Sequence, residues 1–343
     1  MAAKSATTGL RRIIGLLAAL VCLGPAACQG VRFSVDLLPT DPPLRETTVL
    51  RDTGSDWSLR KVALIDVTGV LADRRMGGGL LGGGDNPVSF LAEALERAEK
   101  DREVRAVMIR INSPGGAVTA SDIMYREVMH FRERSEKPVV VLMGDVAASG
   151  GYYIACAADE IVAHPTSVTG SIGVIMQTVS VSQGLRRIGI IPDAITSGPH
   201  KAAGNPFEDM TAAQREVLAG IVQEMYEGFV EIVRTSRPSL RSEDIEWITD
   251  GRVVTGRRAL EIGLIDRVGD LRDAFDAAKA HAGLERARLV KYHRPNGHVG
   301  SAYAHGPRAP GDAVPPGVLR LELGLTGESE TPVFQYLWDP RAW

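Results

Sequence analysis

Residues 104–116 read VRAVMIRINSPGG. The uninterrupted apolar run Ala106-Val107-Met108-Ile109 leaves this strand without a polar face, so both its sides are covered, as in a parallel sheet wrapped by helices. Asn112-Ser113-Pro114-Gly115-Gly116 ends the strand, and a helix is expected over 119–134 with Ala120, Met124, Val128 and Phe131 on one face. Strand, small-residue turn and helix form the unit that parallel architectures repeat.

The alternation continues in both directions. Lys61 opens a strand at 62–67, a helix is expected from Val88 to Lys100, and Pro138 starts a strand at 139–142. Apolar segments at 161–163, 188–191 and 264–266 are further strand candidates, and 257–263 reads as a short helix. A long helix begins at Thr211, whose hydroxyl can cap the first turn while Gln214 reaches back in a capping box. Leu218, Ile221, Val222, Met225, Phe229, Ile232 and Val233 line one face of it, as core or as subunit contact. The expected class is α/β, with mostly parallel strands and flanking helices over 61–293. A tether is expected over 29–60. A Pro- and Gly-rich tail over 294–343, its middle lacking order, ends in the apolar Phe334-Gln335-Tyr336-Leu337-Trp338. Gly77 to Gly84 lacks the Lys-Ser/Thr ending of a phosphate loop and reads as a plain loop.

Residues 1–28 have a different character. Lys4, Arg11 and Arg12 precede an apolar run from Ile13 to Gly24, the pattern of an export signal. The run is shorter than the roughly 20 residues of a membrane span. Pro25-Ala26-Ala27-Cys28-Gln29 resembles a lipoprotein cleavage box with Cys28 as the acylated residue, although Leu23 stands two places early and Pro25 departs from the pattern. A lipid anchor at Cys28, a cleaved signal and an uncleaved helix all stay open. The first two and the third alike place the remaining chain outside the cytoplasm, at or near a membrane.

Composition removes whole classes of function. The 343 residues carry a net charge of −3, so there is no cationic excess to neutralise a nucleic-acid backbone. The three cysteines are too few for a disulfide framework. No His-Glu-x-x-His or paired cysteines point to zinc, and no metal or cofactor is expected. Only seven of the 39 cations are lysines, which makes each lysine in the folded part a residue to account for.

The chemistry-bearing stretch is Gly144-Asp145-Val146-Ala147-Ala148-Ser149-Gly150-Gly151-Tyr152-Tyr153, between a buried strand and a helix-compatible segment. Ser149 there is either a helix cap or a nucleophile whose small neighbours admit a substrate backbone. It matches neither the nucleophile elbow of the α/β hydrolases nor the Ser-x-x-Lys of the penicillin-recognising enzymes. A serine hydroxyl needs a base. His200, His164 and Lys201 are the candidates. A lysine qualifies only when uncharged, which burial or cationic neighbours can bring about. The glycine N–H groups of the 112–116 turn can hold a developing oxyanion, or the turn can be no more than a connection.

Four segments in order, Asn112-Ser113-Pro114-Gly115-Gly116, the 144–153 stretch, Thr169-Gly170-Ser171-Ile172-Gly173-Val174 and Ser197-Gly198-Pro199-His200-Lys201, resemble the bacterial signal peptide peptidase A family in its single-length form. The similarity runs over about 61–290. It implies a crotonase-like fold shared with the caseinolytic protease and a Ser-Lys dyad. It also implies Ser149 as nucleophile, Lys201 as general base, Ser171 as the residue that holds the lysine, and Gly116 with Gly115 at the oxyanion. Further implications are apolar peptide substrates such as cleaved signal peptides, and a membrane-tethered homo-oligomer in which neighbouring subunits complete the dyad. The rivals are an acyl-CoA hydratase or isomerase of the same fold and an inactive envelope scaffold.

Overall fold

The structure, a computed structural model, describes residues 43–53, 60–74, 85–295 and 301–303, together with the backbone of a strand at 335–337. In chain order, β1 (Arg45–Arg51) and β2 (Lys61–Thr68) are followed by α1 (Pro87–Lys100), β3 (Val104–Ser113), β4 (Gly115–Ala117) and α2 (Val118–Ser135). Then come β5 (Val139–Ala148), α3 (Gly150–Ala155), β6 (Glu160–Ala163), β7 (Val168–Gly170), α4 (Ser182–Arg187) and α5 (Ala212–Ser236). The chain continues with α6 (Ser242–Ile248), β8 (Val253–Thr255), α7 (Gly256–Glu261), β9 (Arg267–Val268), α8 (Leu271–His281), β10 (Arg288–His293) and β11 (Gln335–Leu337).

The main sheet runs in the order β1-β10-β2-β3-β5-β6-β9, with β7 and β8 branching from β5. Every pair from β10 to β9 is parallel, and the antiparallel pairs are β1 with β10 and β7 with β8. This is the α/β class with mostly parallel strands that the 104–116 stretch implies. β3 is central, and Ala106 through Ile111 are all buried. One sheet face packs Ala63, Ile65, Val107, Ile109 and Val141 with α1, α2 and α3. The other packs Val62, Leu64, Met108 and Val140 under Leu271, Ala274, Phe275 and Ala278 of α8.

Local chemistry explains the boundaries. Pro87 occupies the first helical position of α1, and the Asn86 side chain accepts hydrogen bonds from the N–H groups of Val88 and Ser89. The Lys137 amine donates to the carbonyls of Ala98 and Glu99 in the last turn of the same helix and of Asp101 at its C-cap, where helix carbonyls lack partners. Thr211 and Gln214 form the expected capping box at the start of α5.

The structure departs from the sequence reading in four places. Residues 188–191 are not a strand: Ile188, Ile190 and Ile191 are exposed, so their apolar character meets no sheet edge within one chain. Leu264 and Ile265 are buried but not in a strand. The Asp266 carboxylate beside them binds Arg237 and accepts the Ile161 N–H, and pairing with β6 begins one residue later at Arg267. Part of the expected tether, 45–51, is strand β1, held by Glu46 against Lys61 at 2.8 Å. Part of the expected tail, 335–337, is β11, paired with β4. Residues 1–28 with Cys28, and the glycine run 77–84, lie outside the described residues.

Phe275 is only 2% exposed and is the largest side chain α8 lays on its sheet face. Phe275→Ala should lower the free energy of unfolding by about 3–5 kcal/mol, read from the urea midpoint at constant slope.

Candidate active site

β5 outlasts its apolar run because of a bulge. Ile111 pairs with Met143, yet Ser113 pairs with Ala147, so the three residues 144–146 of β5 face the single residue Asn112 of β3. The Asn112 side chain accepts the Val146 N–H at 3.1 Å and holds the bulge. β5 thereby reaches Ala148, which lies in parallel register with Gly170 at the end of β7. Ser149 and Ser171, the next residue on each chain, therefore stand side by side.

Both serines sit in the left-handed region, at φ 53° and 52°. A residue with a Cβ pays about 1–3 kcal/mol to stay there, so the surroundings must hold it. The Ser149 N–H donates to the Gly170 carbonyl at 2.8 Å, and the Ser171 N–H to the Arg252 carbonyl at 2.7 Å. Arg252 precedes β8, which pairs with β7, so the two hydrogen bonds continue the sheet. Ser149 is 1% and Ser171 7% exposed. Ser149 occupies the N-cap position of α3, but its side chain makes no capping hydrogen bond. The cap reading of Ser149 therefore fails, and the hydroxyl is not spent on the fold.

The turn at 112–116 meets the start of α3. A Cβ built on Gly150 would collide with Ser121 Oγ and would stand 3.2 Å from Gly115 Cα and 3.3 Å from Gly116 N. Only glycine allows that approach. On its other side, Gly116 lies so close to Leu71 that a Cβ would collide with the Leu71 carbonyl. The two expected glycines differ in one respect. The Gly115 N–H is committed to Ser113 Oγ at 3.0 Å, which in turn donates to the Gly69 carbonyl at 2.6 Å. Gly115 thus serves the turn, and its N–H is not available to a substrate.

Lys201 lies in a different setting. Of the six lysines among the described residues, Lys61, Lys100, Lys279 and Lys291 pair with carboxylates and Lys137 binds carbonyls. Of these six, Lys201 is the one with neither an ion pair nor a side-chain hydrogen bond. It is exposed, and no hydrogen bond joins it to Ser149 or Ser171 within one chain. Its loop is nevertheless fastened: Gln214 Nε2 donates to the Pro199 carbonyl at 2.7 Å while Gln214 Oε1 accepts the Thr211 N–H at 3.0 Å. His200 is exposed as well, and the His164 ring is engaged with Thr166 Oγ1 at 2.8 Å. Among the described residues, no three His, Cys, Asp or Glu side chains converge to hold a metal ion.

Asn112, Ser113, Arg252 and the second bond of Gln214 escaped the sequence reading. Asn112, Ser113 and Val146 lay inside recognised segments, but neither the pairing of Asn112 with Val146 nor that of Ser113 with Gly69 was visible from them. Gln214 was visible only as half of a capping box.

A family model described as "Peptidase family S49" matches residues 132–285. A protein of Synechocystis sp. provisionally named a protease is 33% identical over 226 residues, covering 66% of this chain and 76% of that protein. An Enterococcus faecium protein provisionally named signal peptide peptidase SppA is 30% identical over 235 residues, covering 68% and 67%. The chloroplastic serine protease SPPA of Arabidopsis thaliana is 36% identical over 210 residues, which is 60% of this chain but only 31% of that protein.

Gln214→Glu keeps the acceptor that caps α5 but loses the donor to Pro199. It should leave the melting temperature within about 2 °C while lowering peptide hydrolysis about tenfold, whereas Gln214→Ala should reduce both. Equal activity in Gln214→Glu and the parent chain would show that the loop needs no such tie.

Proposed function

The chain belongs to peptidase family S49 and is a serine-type peptidase, and we propose that it cuts apolar peptides, remnant signal peptides foremost, with a dyad of Ser149 and a neighbouring copy's Lys201. The observation that carries this reading is the pair of serines side by side in the left-handed region. One of them has a buried backbone and a hydroxyl that the fold does not use.

On this reading Ser149 Oγ attacks the scissile carbonyl and the uncharged Lys201 amine takes its proton. The negative oxygen that forms is received by the Gly116 N–H. The Gly150 N–H joins it, since the first N–H groups of a helix have no carbonyl within their own helix. The protonated amine then returns its proton to the leaving nitrogen, and a water activated by the same amine releases the acyl group. Ser171 accepts a hydrogen bond from the lysine and aims it. Gly115 supports this pocket through the turn.

Assembly from several copies is supported by the segment that bears Lys201. Val179, Ile188, Ile190, Ile191, Ile195 and Phe207 are exposed along 179–207. So many large apolar side chains exposed within one segment support a role for it as a contact surface. Leu218, Ile221 and Val222, on the first half of the apolar face of α5, are only half-buried. A membrane-held, extracytoplasmic catalytic domain is supported by the export-type pattern of residues 1–28, with Cys28 as the lipid site. Among the described residues no helix is long and apolar enough to cross a membrane.

Ser149→Ala and Lys201→Ala should each lower hydrolysis of an apolar fluorogenic peptide by at least about 10³-fold, and Lys201→Arg should fail equally because a guanidinium stays charged. Full activity in Lys201→Ala would pass the role of base to His200. The rate should rise with pH as the amine loses its proton, and a flat profile from about pH 5 to 9 would exclude a lysine base.

Equal amounts of the Ser149→Ala and Lys201→Ala chains, unfolded and reassembled together, should recover about a quarter of parental activity if each site draws its two residues from adjacent copies. No recovery above either variant alone would place both residues in one chain.

A further inference from the structure

The carbonyl that fixes Ser171 belongs to a residue that is itself held twice over. Gly170 stands opposite Val253 in the β7–β8 pair, and one step further the Ser171 N–H donates to the Arg252 carbonyl. Gly251, at φ 90°, turns the chain just before Arg252. The Asp250 carboxylate reaches across that turn. One of its oxygens accepts both the Arg252 N–H at 3.0 Å and the Arg252 Nε at 2.8 Å, and the other accepts a terminal guanidinium nitrogen. The guanidinium gripped in this way lies over the Trp247 ring, 4.1 Å from its centre. Ile248, the residue after Trp247, is fully buried, and a Cβ built on Gly170 would stand 3.4 Å from its Cδ1. Segment 247–252 therefore touches β7 through Ile248 at Gly170 and through Arg252 at Ser171.

We propose that Asp250, Arg252 and Trp247 form a clamp of positioning residues that act on the reaction through the Arg252 carbonyl, by holding Ser171 in its left-handed conformation beside Ser149. The inference rests on the reading above in which the Ser171 hydroxyl aims the lysine amine. The clamp is a poor device for stability, because the Arg252 and Asp250 side chains are 38% and 47% exposed and exposed ion pairs contribute little to folding. It is a good device for orientation. A single carboxylate grips the main chain and the side chain of the same residue, and an aromatic face limits where the guanidinium can go. Orientation is what Ser171 requires, since a residue with a Cβ at φ 52° relaxes toward ordinary backbone once its N–H is released. Relaxation would swing the hydroxyl away from the Ser149 side.

Arg252→Ala removes the guanidinium and keeps the carbonyl. In the full chain it should lower kcat for an apolar fluorogenic peptide about tenfold, with KM within about twofold and the melting temperature within about 2 °C of the parent. Arg252→Lys keeps the charge without the two-point grip and should fail nearly as far, whereas Trp247→Phe keeps a ring face and should stay within about threefold. Arg258 also lies by the Trp247 ring, at 5.4 Å, but has no bond to Ser171, so Arg258→Ala should behave as the parent. In a Ser171→Ala chain, adding Arg252→Ala should lower kcat by less than about twofold more, because no hydroxyl is left to aim. Losses that multiply in that double variant overturn the proposal. Hydrogen exchange at the residue 171 amide gives a readout that needs no catalysis, and Arg252→Ala should speed it about tenfold. Faster exchange in a protein whose Ser171→Ala variant is fully active would sink the catalytic role of Ser171 and keep the clamp on its backbone. Unchanged exchange alongside Ser171-dependent cleavage would sink the clamp alone.

Discussion

The hydrogen bond from the Ser149 N–H to the Gly170 carbonyl is the constraint on which the rest of the site depends. It extends the parallel pairing of β5 and β7 by one step beyond the last regular residue, and so it sets two serines abreast at the end of a sheet. In open parallel sheets the carboxyl ends of the strands are where ligands gather. The left-handed backbone at both positions turns each chain sharply away after its serine, so neither continues as strand to block the approach. The strain is stored in the backbone and compensated by the buried core of α3, where the Tyr152 hydroxyl donates to the Leu264 carbonyl and the Tyr153 hydroxyl to Asp122.

Close approach of backbones is the second ingredient. Gly116 sits against the Leu71 carbonyl and Gly150 against Gly115 and Ser121, so three chain segments come nearer than any side chain would allow. That proximity explains why glycines crowd two of the segments on which the family resemblance rests. They are structural requirements first, and the placing of the Gly116 backbone beside Gly150 is a by-product that the proposed chemistry uses.

Much of this was legible in the residues. The apolar run 106–109 implied a doubly covered strand, and it is the sheet's middle; Thr211 and Gln214 implied a capping box, and it forms. Strands β1, β7, β8 and β10 were missed for two different reasons. β1 and β10 are an antiparallel pair at one edge, with polar residues such as Glu46 and Lys291 whose burial depends on partners far away in sequence, Lys61 and Asp66. β7 and β8 have three residues each, too few for any period to register. The segment 188–191 misled in the opposite sense: its apolar character is real, but it answers to no surface of its own chain. Ser149 and Lys201 were singled out by composition and neighbours, while the expectation that neighbouring copies complete the dyad came from the family resemblance alone, because a sequence does not say which copy of itself a loop addresses.

The exposed apolar arm that carries Lys201 has a consequence for timing. If the amine reaches a hydroxyl only on another molecule, a single newly made chain is a harmless passenger. Destructive power then scales with crowding rather than with abundance alone. Confinement of the chains to two dimensions would set the threshold at which they become dangerous to their surroundings.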